Sequence, residues 1–334
     1  MDLGGATTEP WDWTAEMQRV ARSFRGNEGV FVQFGDSLTL ARPNVLWALL
    51  GPGHTPEERA FLRWAHAGED NESDGWYLAT TPKDPNDPRH TAFTAAIGCS
   101  ARYLISGEKG LPRLEDMIAM YRPQLALYAL GASDIIRGTS LPDYVRDVEQ
   151  AIDLLVDHGT VPIIATVTPS EAADDAVRRM NDALRDLARR RRLPVVDVYA
   201  AMAHLNEHVL AFLEEDGVHL TWEHPTEAPT VADFRRSGYL LRCFLIIRKG
   251  MEVKAKVLEP TAPRLRESTA GYEGVMAKRE KIQPNEGDSR YVRRDEDGQF
   301  TEDQVDVGRS SAADQRQQAE HTSKPGHGDE GDRS

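Results

Sequence analysis

Basic residues are in short supply. Forty Lys and Arg stand against 54 Asp and Glu in 334 residues, a formal net charge of −14. A general nucleic-acid binder needs a basic stripe that displaces the counterions of the phosphate backbone, and this balance argues against one. The run Arg189–Arg192 reads as the solvated end of a helix. Cysteine is scarcer still. Cys99 and Cys243 are too few for a disulfide framework or a zinc cluster, and their apolar surroundings suit buried free thiols. No uninterrupted apolar stretch approaches the roughly 20 residues needed to cross a bilayer. Met1–Pro10 has neither the basic nor the apolar segment of a secretory leader. Together these absences lead to the expectation of a cytoplasmic protein without a transmembrane segment. The cluster Glu214-Glu215-Asp216 lacks the ligand count and spacing of a calcium loop, so no metal is expected. No internal repeat is visible.

What is present is an alternation of apolar runs and amphipathic stretches. Gly29–Phe34, Thr91–Ile97, Gln124–Leu130, Val161–Val167 and Pro194–Val198 read as five strands. Between and around them, Trp11–Arg25, Pro43–Leu50, Leu111–Tyr121, Pro142–His158, Asp174–Arg192 and Gly238–Val257 read as helices, with Gly159 ending the fourth. Strands alternating with helices predict a parallel sheet covered on both faces. Residues 1–258 form one domain in this reading, with residues 38–90 inserted after the first strand. Gly, Pro, Asp and Asn crowd Gly51–Pro88, with Trp47, Trp64, Trp76 and Tyr77 in or beside it. These aromatics make either a lid or a substrate wall, or else a small satellite core. Large aliphatics almost vanish from residue 259 onward, so residues 259–334 are expected to be a disordered polar tail that cannot bury enough surface to offset its ordering entropy. That tail reconciles a 40% hydrophobic composition with a mean hydropathy of only −0.53.

The first strand runs into Gly35-Asp36-Ser37-Leu38-Thr39. A serine at the C-terminal end of a central strand stands where open α/β sheets place their chemistry. Serine is a weak nucleophile until a base takes its proton. His219 is the candidate base, because Asp216-x-x-His219 lets the Asp216 carboxylate accept from the imidazole in one tight turn, fixing its tautomer and stabilising the imidazolium. His224 has no carboxylate at that spacing. Asp134 and Asp197 read as caps, and Asn181 as a surface or packing residue.

These residues resemble the SGNH (GDSL) hydrolases: Gly-Asp-Ser-Leu-Thr after strand one, a glycine after strand two, Gly131-Ala132-Ser133-Asp134 after strand three, and a late Asp-x-x-His. The resemblance covers about residues 29–257. It implies a flavodoxin-like three-layer α/β/α fold on a parallel five-stranded sheet, and ester hydrolysis through an acyl-enzyme. Ser37 would be the nucleophile, His219 the base and Asp216 its orienter. The oxyanion would be held by the backbone N–H of Ser37, that of Gly98 (or Gly107) and the side chain of the third block. There the family has asparagine and this chain has Ser133, whose hydroxyl is shorter and rotates freely. The expected substrate is an acyl or acetyl ester of a lipid or carbohydrate, and the residues that bind it are not legible. The departure at Ser133 leaves a binding module that has lost catalysis as the rival, with acyl transfer in the same site as a third reading. No partner for the tail is named by the sequence.

Overall fold

The computed structural model describes residues 10–65 and 93–259, and the backbone of three strands in the tail. The chain divides into two units, residues 1–263 and 264–334.

In the first unit the core sheet has four parallel strands in the order β1 (Asn27–Gly35), β2 (Pro123–Ala129), β3 (Val161–Ala165) and β4 (Val195–Val196). Their side chains are buried almost without a break, from Val30 to Gly35 in β1 and throughout β3. That continuity, rather than polar–apolar alternation, marks a sheet covered on both faces. Pro162 is tolerated within β3 because of where its missing N–H would point. The N–H groups of Ile164 and Thr166 reach Pro194 O and Val196 O on the β4 side. Residue 162 faces that same side, one step before β4 begins.

The expected second strand, Thr91–Ile97, is corrected to a single parallel bridge between Ala95 and Gly35, which leaves the sheet with four strands and not five. Gly35 N donates to Thr94 O and Ala96 N to Gly35 O, both at 3.3 Å. The small residues of Thr94-Ala95-Ala96 give a strand little to pack, and Gly98 at φ +71° turns the chain away. Residues 91 and 92 lie outside the described residues. Counting the bridge as a position, the spatial order is 2-1-3-4-5, the flavodoxin-type winding, and its switch point falls between β1 and β2.

The helices are α1 (Thr14–Arg22), α2 (Ser37–Leu40), α3 (Pro43–Leu50), α4 (Pro56–Trp64), α5 (Ala101–Ser106), α6 (Leu114–Tyr121), α7 (Ala132–Arg137), α8 (Leu141–Asp157), α9 (Asp174–Arg191), α10 (Val198–Leu205), α11 (Val231–Arg236) and α12 (Gly238–Val253). One group joins α5, α6, α8 and α9, and another gathers α3, α4, α10 and α11 around α12. Nearly every side of α12 is buried, as expected of a helix that is apolar all round. Trp47 is buried against Phe244 of α12, and Phe61 lies edge-on to Phe31 of β1, so α3 and α4 belong to the main core. Trp64 also packs on that core. Trp47 and Trp64 are therefore neither lid nor satellite, while Trp76 and Tyr77 lie outside the described residues. Cys99 and Cys243 are free and buried. Among the described residues no helix is long and apolar enough to cross a membrane, and no group of side chains is arranged to hold a metal ion.

In the second unit, where the sequence expects a disordered tail, Glu280–Asn285, Asp288–Val292 and Val305–Asp306 (β5–β7) pair as a three-stranded antiparallel sheet.

Candidate active site

Ser37 is the first residue of α2, set at the end of β1 by a turn that leaves little freedom. Asp36 caps the helix: its Oδ1 accepts from Leu38 N at 3.1 Å, and its carbonyl accepts from Thr39 N and Leu40 N. Gly35 has no substitute here, since a Cβ would overlap the Thr39 side chain. Behind the turn, Arg242 of α12 is buried, with NH2 donating to Thr39 Oγ1 at 3.0 Å and NH1 to Leu38 O at 3.4 Å and to Asn44 Oδ1. Asn44 Nδ2 in turn donates to Gln33 Oε1 at 3.0 Å and to Thr39 O. Burial pushes the Asp36 carboxyl up to about 6, against the opposing pull of the Leu38 N–H and Arg242. Burial likewise lowers the Arg242 guanidinium below its ordinary value. Asp36 and Arg242 both line a cavity of about 20 Å³, room for about one water.

Asp216 and His219 occupy a tight hairpin closed by the Leu213–Leu220 bridge and by Glu214 N donating to His219 O at 2.8 Å. Gly217 sits at φ +67°, where glycine is unstrained, and a Cβ there would press on the Glu171 carboxylate. Asp216 Oδ1 accepts from the backbone N–H of Val218 and His219, and its Oδ2 accepts from His219 Nδ1 at 2.6 Å. These hydrogen bonds, the imidazole's first, hold the Asp216 carboxyl down at about 2. With Nδ1–H committed to Asp216, Nε2 is the acceptor, and it lies 3.3 Å from Ser37 Oγ. Residues 182 positions apart thus meet as a serine, an imidazole and a carboxylate in line. The separation is within the looseness common before substrate binds.

Gly98 follows the Ala95 bridge, so the loop that carries it lies beside the end of β1. Gly107 instead terminates α5 in the left-handed conformation, packed against Arg113. Ser133 is buried in the first turn of α7, after β2, and its hydroxyl has no hydrogen-bond partner among the described residues. Asp134 Oδ2 accepts from Ala101 N at 3.0 Å, tying α7 to the start of α5, and burial raises its carboxyl to about 6. Asp197 caps α10 through Ala200 N and also binds Arg185. Asn181 is not a surface residue but a buried clamp, accepting from Val167 N and donating to Val167 O just beyond β3. His224 lies against Trp222, outside the Ser37–His219–Asp216 line. Arg189, Arg190 and Arg191 pair with Asp186, Glu149 and Asp153.

Residues 33–224 match the family described as GDSL-like Lipase/Acylhydrolase. The chain belongs to this family. The GDSL-like match begins within β1 and ends just past His219, so one match spans both the Ser37 turn and the Asp216 hairpin. Ester hydrolysis is accordingly the general chemistry of the chain. No curated protein matches it in sequence. Among solved structures, an acetyl esterase mutant with acetate ion is 16% identical, covering 67% of this chain and 98% of its own, at a TM-score of 0.45. A carbohydrate esterase family 3 protein from Talaromyces cellulolyticus is 16% identical over the same shares, at 0.44. A GDSL-like lipase from Bacteroides thetaiotaomicron is 14% identical, covering 72% of this chain and all of its own, at 0.45.

Arg242 was not legible as a site residue. A lone arginine in the apolar run of a late helix is the only sequence signal it leaves.

Proposed function

We propose that this GDSL-like protein cleaves a carboxylic ester through an acyl-enzyme on Ser37. The reading rests on one observation above the rest: Ser37 Oγ, His219 and Asp216 are within hydrogen-bond reach in sequence, at 3.3 and 2.6 Å. Ser37 Oγ attacks the ester carbonyl carbon, and its proton passes to His219 Nε2. Asp216 holds the imidazole in the receptive tautomer and stabilises the imidazolium. Negative charge develops on the former carbonyl oxygen, where the N–H groups of Ser37 and Gly98 and the Ser133 hydroxyl are the assigned donors. Collapse of this intermediate breaks the bond to the alcohol oxygen, which takes the proton from Nε2. Water then repeats the sequence on the acyl-serine and releases the acid. An acceptor alcohol in place of water would make the same site a transferase. The chemistry needs no cofactor.

Hydrolysis of 4-nitrophenyl esters of several acyl lengths, beside labelling of the serine by a fluorophosphonate, tests the proposal. Turnover and labelling that both vanish in Ser37→Ala and His219→Ala are expected. Absence of labelling in the unaltered chain would overturn the serine mechanism and leave a binding module.

A further inference from the structure

Several surface arginines described here are neutralised. Arg146, Arg178, Arg185 and Arg236 each reach a carboxylate within 3.0 Å. Two cations next to the candidate site are not: Arg137 and Lys109 have no carboxylate partner among the described residues, in a chain carrying a net charge of −14. The acidic neighbour of Lys109 in the chain, Glu108, is engaged by Ser106 Oγ at 2.9 Å.

Arg137 is already held in place. Its guanidinium lies 4.3 Å from the Tyr103 ring centre, NH1 donates to Tyr103 Oη at 3.0 Å, and NH2 donates to Gly98 O at 3.4 Å. A stacked, hydrogen-bonded guanidinium loses little further freedom when it meets an anion. Lys109 sits at φ +60° between Gly107 and Gly110, both also left-handed. Its Nζ and Arg137 NH2 converge on the open side of Gly98, each 3.9 Å from where a Cβ would stand. Arg137 also lies one helical turn beyond Ser133, at i+4 on the same face of α7. Two of the three assigned oxyanion positions therefore border this cationic rim. The chain neighbours Ile97 and Ile136 are exposed, at 49% and 73%, and add apolar surface beside it.

We infer that Arg137 and Lys109 select an ester whose substrate carries an anionic oxygen group, a carboxylate or a phosphate, separated from the scissile carbonyl by a short apolar spacer. The inference rests on the hydrolase reading for the bond that is cleaved; the anion recognition stands on the rim itself.

The test compares 4-nitrophenyl hemiglutarate with its neutral counterpart, 4-nitrophenyl valerate, in the full chain and in Arg137→Gln, Lys109→Gln, Arg137→Lys and the double glutamine variant. The ratio of the two kcat/KM values is independent of the folded fraction. It should favour the hemiglutarate, shrink with added salt and fall about tenfold in the double variant, the scale of a charge-assisted hydrogen bond at a solvated rim. Arg137→Lys should retain part of the preference. The loss should appear in KM. Competition by glutarate against inorganic phosphate then separates the two anion classes. A ratio that favours the neutral ester, or that is unchanged in the double variant, overturns the inference. If neither ester is turned over, binding of hemiglutarate to Ser37→Ala is measured calorimetrically. Preference over valerate that disappears with Arg137→Gln upholds the anion rim while the hydrolase reading falls, and no preference overturns the rim as well.

Discussion

The two halves of the candidate site are built in opposite ways. The Ser37 turn is buried and tied over long range: Asp36 is shielded from solvent, and Arg242, more than 200 positions later, grips Leu38 and Thr39 from behind. The Asp216–His219 hairpin is half-exposed and tied locally, through hydrogen bonds that span two or three residues. In the first half, burial raises the carboxyl of Asp36 to about 6; in the second, hydrogen bonding lowers that of Asp216 to about 2. An exposed acid that stays ionised suits the support of an imidazolium. A buried acid with a buried cation suits the holding of a backbone. The same residue type therefore does two jobs, and its environment assigns them.

The sharpest way to break this contrast is to remove the pair that spans it. Ser37→Ala or His219→Ala should lower kcat by about 10⁶, the scale seen when either member of such a unit is deleted. Steady-state ester hydrolysis reads this directly, with unchanged thermal unfolding as the control. Asp216→Asn comes next, at about 10⁴ in kcat, because the amide holds the wrong tautomer while leaving the hairpin folded.

On the buried side the effect should move from rate to stability. Arg242→Met should cost about 1–3 kcal/mol in denaturant unfolding, since it leaves the Leu38 carbonyl, the Thr39 hydroxyl and the Asn44 amide oxygen without their buried donor. The same change should push Asp36 further above about 6. A loss no larger than a surface substitution would show that the α2 turn holds without Arg242. Ser133→Asn should raise kcat by up to roughly 10² if the side-chain donor limits the rate. No gain would locate the third donor elsewhere.

The smallest expected effect is a pH dependence. Asp36 and Asp134 both have folded-state values near 6, above the ordinary 3.8. Between those values the folded chain binds more protons than the unfolded one, so these two groups make stability fall as pH rises from about 4 to 6. Asp134→Asn should remove its share, gaining on the unaltered chain by about 1–3 kcal/mol over that window in denaturant titrations. Asp216 runs the other way. Its stabilisation is present above 3.8 and is lost as pH falls towards 2.

The legible parts of the molecule are those whose physics is short-range. The apolar runs of β1, β2 and β3 and the stripes of α8 and α9 emerge where their periodicity places them. The Asp-x-x-His spacing closes its own turn, so Asp216 and His219 were readable as a unit. Short elements were not. Residues 101–106 and 132–137 form helices of only six residues each, α5 capped by Ser100 and tied to α7 across the fold by Asp134 accepting from Ala101 N. The second strand failed as a strand because three small residues carry too little packing surface to extend the ladder beyond a bridge.

By itself, then, the sequence determined the alternation of strands and helices, the serine at the end of β1, and the Asp216–His219 hairpin, because each is encoded within one turn or one strand. Tertiary structure decided what lies across those distances. It brought His219 to 3.3 Å from Ser37, set Arg242 behind the Ser37 turn, and turned Arg137 and Lys109 towards Gly98. Contacts between residues tens to hundreds of positions apart depend on how helices pack on the sheet, and no local pattern carries that information.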